Sequence, residues 1–95
     1  MSATAAPKAA EPVRLRAVLY RGKKAVATRT GKTALTLGSY TAGHWAASHL
    51  GMLAQAGDWL HIEAHRPDQP VQVYQWQAQK DHPGAGDGWL PGQRL

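Results

Sequence analysis

From Val13 to Tyr20 the chain alternates, with Val13, Leu15, Ala17 and Leu19 on one side and Arg14, Arg16, Val18 and Tyr20 on the other. A period of two is that of a half-buried strand. Gly22 in RGKK supplies a turn, and KAVATRT (24–30) returns as a second strand. A loop of even length preserves the face assignment, because side chains in a strand alternate. The pattern therefore predicts Val26, Thr28 and Thr30 on the apolar side of this hairpin. Ala25, Ala27 and Arg29 are expected on the open side with Arg14 and Arg16. TALTL (33–37) reads as a short third strand or as an extended connection.

Ser39 or Thr41 is an N-cap residue type, and Gly57 closes a helix over about 41–56. At about 100° per residue, Ala42, Trp45, Ala46, His49, Met52, Leu53 and Ala56 fall on one stripe, with His44, Ser48, Gly51 and Gln55 opposite. Gly43 and Gly51 inside the helix each cost about 1 kcal/mol relative to Ala, so the helix depends on its packed face. His49 within that stripe reads as a hydrogen-bonded core histidine.

DWLHIEAH (58–65) alternates again, Leu60, Ile62 and Ala64 against Trp59, His61, Glu63 and His65. RPDQ (66–69) is a type I turn sequence, and VQVYQWQ (71–77) completes a second hairpin. A two-residue turn sets Ile62 opposite Val73, His61 opposite Tyr74 and Trp59 opposite Trp76. The predicted fold is α+β, with element order β-β-α-β-β and the segment at 33–37 as the optional extra strand. A small antiparallel sheet carries one helix on one face. It occupies residues 13–79, between an Ala/Pro/Lys-rich tail at 1–12, expected to be disordered, and a Gly/Pro-rich tail at 80–95.

Composition adds bounds. Ninety-five residues allow one domain. The folding part is small enough that a homodimer would ease its marginal stability. The absence of cysteine removes disulfides and thiolate metal sites. No apolar run reaches the roughly 18 residues of a membrane span, and no signal-type apolar segment stands near Met1, so a soluble cytoplasmic protein is the default expectation. The Ala, Gly and Arg bias fits a GC-rich bacterial or phage genome and carries no functional information.

Charge is distributed unevenly. Residues 1–40 carry Lys8, Arg14, Arg16, Arg21, Lys23, Lys24, Arg29 and Lys32 against Glu11 alone, whereas residues 41–95 hold more acids than bases. One cationic surface points to a polyanion or an acidic protein face as partner.

Candidate chemistry is sparse. Gly31-Lys32-Thr33 spells the end of a phosphate-binding loop, but the first glycine of that motif would fall on Val26, inside a strand, and no helix signal follows directly. His61, Glu63 and His65 form an H-x-E-x-H pattern on one strand face. Its histidines lie roughly 13 Å apart at the backbone, and His44 or His82 would have to complete a metal site. No metal or other cofactor is expected. No serine stands in a nucleophile elbow and no acids are paired for acid–base work, so the expected protein is not an enzyme.

What remains is a basic and aromatic sheet face. Arg14, Arg16, Lys23, Lys24, Arg29 and Lys32 are expected to meet phosphates, with Tyr20 and Trp76 stacking on bases of single-stranded RNA or DNA. Trp59 and Trp76 serve equally well as core, since a domain of this size needs large buried side chains. GWLP (88–91) reads as a docking motif for a partner or as a tail anchor folding back over the sheet. The alternative function is a phage- or plasmid-type accessory or inhibitor protein whose basic face docks on an acidic protein surface.

Overall fold

The computed structural model describes residues 13–33, 39–84 and 87–94. Within them lie strands β1 (Val13–Arg21) and β2 (Lys24–Thr33), helix α1 (Ser39–Leu50) with a 3₁₀ turn at Gly51–Leu53, and strands β3 (Trp59–His65), β4 (Gln72–Ala78) and β5 (Trp89–Pro91). The strands form one antiparallel sheet in the order β2-β1-β3-β4-β5, and α1 packs on one face. The α+β class and the central β-β-α-β-β order are those expected. The tail expected at 1–12 and most of the segment at 33–37 lie outside the described residues, Thr33 being the end of β2. Trp89–Pro91, expected within the C-terminal tail, instead add a fifth strand against β4.

The first hairpin is where the alternation loses step. Gly22 has φ 63°, the sign a two-residue hairpin turn with glycine first requires. Leu19 pairs with Ala27 but Tyr20 pairs with Ala25, so Val26 is an extra residue, a β-bulge. One inserted residue reverses the facing of everything beyond it. Arg29 therefore pairs with Ala17 on the helix side, and Thr28, Thr30 and Lys32 join Val18, Arg16 and Arg14 on the open side. The expected placement of Arg29 beside Arg14 and Arg16 is corrected by that single residue.

The second hairpin carries a comparable offset. Asp68 takes a left-handed φ of 58°, and the pairing is Leu60 with Trp76 and Ile62 with Tyr74, one residue away from the two-residue-turn register. Tyr74 and Trp76 thus face the helix, while Gln75 and Gln77 face out opposite His61 and Trp59. This register puts two rings into a core that is otherwise built from Val13, Leu15, Leu19, Leu50, Leu60 and Ile62 with many alanines.

Helix α1 turns toward the sheet the side bearing Ala42, Gly43, Ala46, Ala47 and Leu50, rotated roughly a quarter of a turn from the expected stripe. The small residues let it sit close: a Cβ on Gly43 would stand 2.8 Å from the Trp76 indole, and one on Gly31 would stand 2.7 Å from the Trp45 ring. His49 is exposed rather than in the core, with its ring tilted against Trp45 and Nδ1 2.9 Å from the Trp45 carbonyl. Met52 and Leu53, expected in the stripe, are exposed as well, because the chain tightens into the 3₁₀ turn after Leu50 and the helical phase changes. Residues 79–83 fasten this end of the helix, through His82 N–H to the Ala54 carbonyl at 2.8 Å and Ala56 N–H to the Asp81 carboxylate at 2.8 Å.

Candidate functional site

The face of the sheet away from α1 can be read as rows of cross-strand neighbours. At one end stand Lys32, Arg14 and His65, on β2, β1 and β3. The next row holds Thr30, Arg16, Glu63 and Val73, and the one after it Thr28, Val18, His61 and Gln75. Tyr20, Trp59 and Gln77 close the other end. Arginines and lysine at alternate positions of adjacent strands must project from the same side, and they stand at a groove of about 480 Å³ lined by Arg14, Leu15, Arg16, Thr30, Gly31, Lys32 and His65.

Glu63, the cross-strand partner of Arg16, is an acid beside this groove, and it is already engaged. His65 Nε2 lies 3.1 Å from Oε1, His61 Nε2 lies 3.4 Å from Oε2, and the Arg16 guanidinium stands 4.0 Å away. The His65 hydrogen bond, helped by that from His61 and by the charges of His61 and Arg16, holds the Glu63 carboxyl below the usual carboxylate range against its partial desolvation. Gln75 donates its side-chain amide to His61 Nδ1 at 3.1 Å. That leaves Nε2 of His61 as the ring nitrogen bearing the proton toward Glu63. The H-x-E-x-H pattern is therefore a carboxylate held between two imidazoles. No group of three His or acidic residues that could hold a metal ion occurs among the described residues.

Arg14 and Lys32 make no ion pair among the described residues, although they oppose each other directly across β1 and β2. Like charges placed opposite one another destabilise a sheet, so this row is an electrostatic cost to the folded chain.

Of the residues expected to form the binding surface, Arg14, Arg16 and Lys32 come together. Lys23 and Lys24 are exposed at the hairpin tip, about 23 Å along β1 from Arg14. Arg29 leaves the group, with its guanidinium donating to the Thr28 carbonyl at 2.8 Å on the helix side. Trp76 leaves it too. Its ring is pressed on Gly43 on the helix side, and its indole N–H is buried with no partner among the described residues. Tyr20 is on the open face, but the Arg94 guanidinium carbon lies 4.0 Å over its ring centroid.

Sequence reasoning missed His65 and Thr30 as groove residues, and Arg94 and Gln75 as residues that cover the aromatic end. For Thr30 the obstacle was the bulge. For Arg94 the signal was the anchor motif GWLP just before it, which fixes where the last residues run.

Gly31-Lys32-Thr33 lies in the extended strand β2, with Gly31 opposite Leu15 and Lys32 opposite Arg14. Backbone amides held in a ladder cannot curl around a phosphate, so Lys32 contributes only its side chain. No helix among the described residues is long and apolar enough to cross a membrane.

Comparisons with protein families, with curated proteins and with solved structures found no match. Fold and site together define a small α+β domain whose sheet face away from the helix carries a row of cations at one end.

Proposed function

We propose that this protein is a non-enzymatic binding module that holds a nucleic-acid strand by its phosphates. The residues are Lys32, Arg14 and His65 in one row, with Arg16 beside them. The observation that carries this reading is the row itself: cations set directly opposite each other, with the neighbouring Glu63 carboxylate occupied by two imidazoles. An anion inserted between Lys32 and Arg14 turns their repulsion into shared attraction. Arginine matches a phosphate with two parallel N–H groups, and lysine adds a point charge.

Such contacts position a strand and carry no sequence information, so the expected binding is tolerant of sequence. Nothing about Ser48 and His49 favours hydrolytic chemistry instead. Ser48 Oγ donates to the Trp45 carbonyl at 2.7 Å, and both side chains stand exposed on the helix.

The test is a fluorescence anisotropy titration of labelled 12-nucleotide single strands and duplexes between 20 and 200 mM salt. Each neutralised phosphate contributes a slope of about 0.7–0.9 in log K against log salt, so replacing both Arg14 and Lys32 by Ala should lower the slope by nearly two. Absence of salt-sensitive binding, or a slope unmoved by the double substitution, sinks the proposal. A stoichiometric acidic protein that co-purifies after nuclease treatment would point to a protein partner for the same groove.

A further inference from the structure

The sheet face away from α1 is cationic at one end and aromatic at the other, and described residues cross the aromatic end. Residues 92–94 leave β5 and run across it. Gly92 N–H donates to the Gln75 carbonyl at 3.1 Å, and Arg94 N–H donates to Gln75 Oε1 at 3.2 Å. The Arg94 side chain then reaches over Tyr20 and donates from Nη2 to the Gly22 carbonyl at 3.0 Å. At Gly92 a Cβ would stand only 3.2 Å from the outer edge of Trp59.

Beneath this crossing the rings are contiguous. Tyr20 and Trp59 are cross-strand partners, and Tyr20 meets His61 edge-on at 6.3 Å between centroids. A planar cation 4.0 Å above a tyrosine ring occupies the position a stacked nucleobase would take. The contacts that keep it there are few, and they centre on two side chains, Arg94 and Gln75. Arg94 is also the kind of group a phosphate would draw away. Lys23 and Lys24 sit at the tip just beyond Tyr20, so cations flank the aromatic patch on the side opposite Arg14 and Lys32.

We propose that residues 92–94 are a displaceable strap over a latent subsite, Tyr20 with Trp59 and His61, that takes an unpaired nucleobase. The proposal rests on the phosphate-binding reading of the groove. With the strap down, the face offers phosphate contacts alone and treats single strands and duplexes alike. When it lifts, a base of a single strand stacks on Tyr20 and Arg94 moves to the neighbouring phosphate. A duplex, whose bases are already stacked and paired, gains nothing.

The test compares the full chain with its Arg94→Ala variant on a 12-nucleotide single strand and on a duplex of equal length, with thermal melting to confirm that both are folded. Losing a cation weakens both complexes, so the readout is the ratio of the two affinities. The ratio should shift toward the single strand by about fivefold or more, the lower range of one base–aromatic stack. Gln75→Leu, which removes the side-chain acceptor of the Arg94 N–H and leaves the Gly92 bond to the backbone carbonyl, should shift it in the same direction.

Adding Tyr20→Leu to Arg94→Ala should cancel the shift. An unchanged ratio in both Arg94→Ala and Gln75→Leu, or a gain that survives Tyr20→Leu, overturns the strap. The Arg14→Ala/Lys32→Ala pair should weaken both complexes and leave the ratio alone. If that pair has no effect, it is the groove reading that fails.

Discussion

Arg21 grips Asp58 across the sheet, with Nε 3.0 Å from Oδ1 and Nη2 2.8 Å from Oδ2. The same guanidinium donates to the Leu53 carbonyl at 3.2 Å, and the Gln55 N–H donates to Asp58 Oδ2 at 2.9 Å. The end of β1, the turn after the helix and the start of β3 are thus tied at one carboxylate. The hydrogen bond to Asp58 raises the Arg21 pKa above its already high value, so the guanidinium stays charged. The partners are unequal, because the Asp58 side chain is 3% exposed and that of Arg21 is 40% exposed.

That inequality sets the order of mutational effects. Asp58→Ala removes charge-assisted hydrogen bonds and frees Arg21 to turn into water, at a cost of about 2 kcal/mol. Arg21→Met leaves the Asp58 carboxylate buried with the Gln55 N–H as its remaining donor, and should be the more damaging of the two. The double variant should lose less than the sum of the singles. Urea denaturation of the four proteins checks this, and additive losses would show that the pair is not coupled.

Gly43 and Trp76 make a second testable contact. On an exposed helix, Gly→Ala stabilises by about 1 kcal/mol. Here the added methyl would stand 2.8 Å from the indole, and overpacking of this kind costs about 1–3 kcal/mol. Gly43→Ala should therefore destabilise by about 1 kcal/mol, a fall of roughly 4–8 °C in Tm for a domain of this size. A rise in Tm would mean that Trp76 yields easily and that the helix is not held by this contact.

These contacts also show what the chain makes legible and what it hides. The faces of β1 and β3 follow from alternation alone, because Leu15, Ala17 and Leu19 and then Leu60, Ile62 and Ala64 are unbroken by apolar residues of the wrong parity apart from Val18. In β2 the run Ala25-Val26-Ala27 is apolar throughout, so a bulge at Val26 leaves no trace in the pattern, yet it decides where Arg29 and Lys32 point. In β4 the alternation of Tyr74 and Trp76 with Gln75 and Gln77 carried the right answer. The turn sequence Arg66–Gln69 argued for the other register, and the left-handed Asp68 is a backbone choice that hydropathy does not encode. Arg14, Arg16 and Lys32 were recognisable as a cationic cluster. The covering of Tyr20 by Arg94 joins residues far apart in sequence and required the fold.

Glu63 gives a pH prediction with a definite sign. Its folded pKa lies below the ordinary value of 4.5. The stability it contributes is therefore fully present above the unfolded value and is lost as pH falls through the lower folded value. Wild type should melt above Glu63→Gln at neutral pH, and the difference should shrink between about pH 5 and pH 3. Glu63→Gln should also tighten phosphate binding, because it removes the negative charge beside Arg16 and His65. A melting difference independent of pH across this window would contradict the assignment.

The last prediction separates a site from a mere surplus of charge. Arg14 and Arg29 are both exposed arginines of the first hairpin, and each contributes the same unit to the net charge of +5. If binding reflected net charge alone, removing either would weaken it equally. The fold places Arg14 in the row with Lys32 and His65, and sends Arg29 to the other side of the sheet beside Ala17. Arg14→Ala should lower the salt slope of oligonucleotide binding by nearly one, the share of a single phosphate contact. Arg29→Ala should leave that slope unchanged and weaken binding by no more than about twofold, the residue of long-range attraction screened beyond about 10 Å at 0.1 M salt. Equal losses from the two substitutions would place the interaction outside the groove, on the field of the whole basic hairpin.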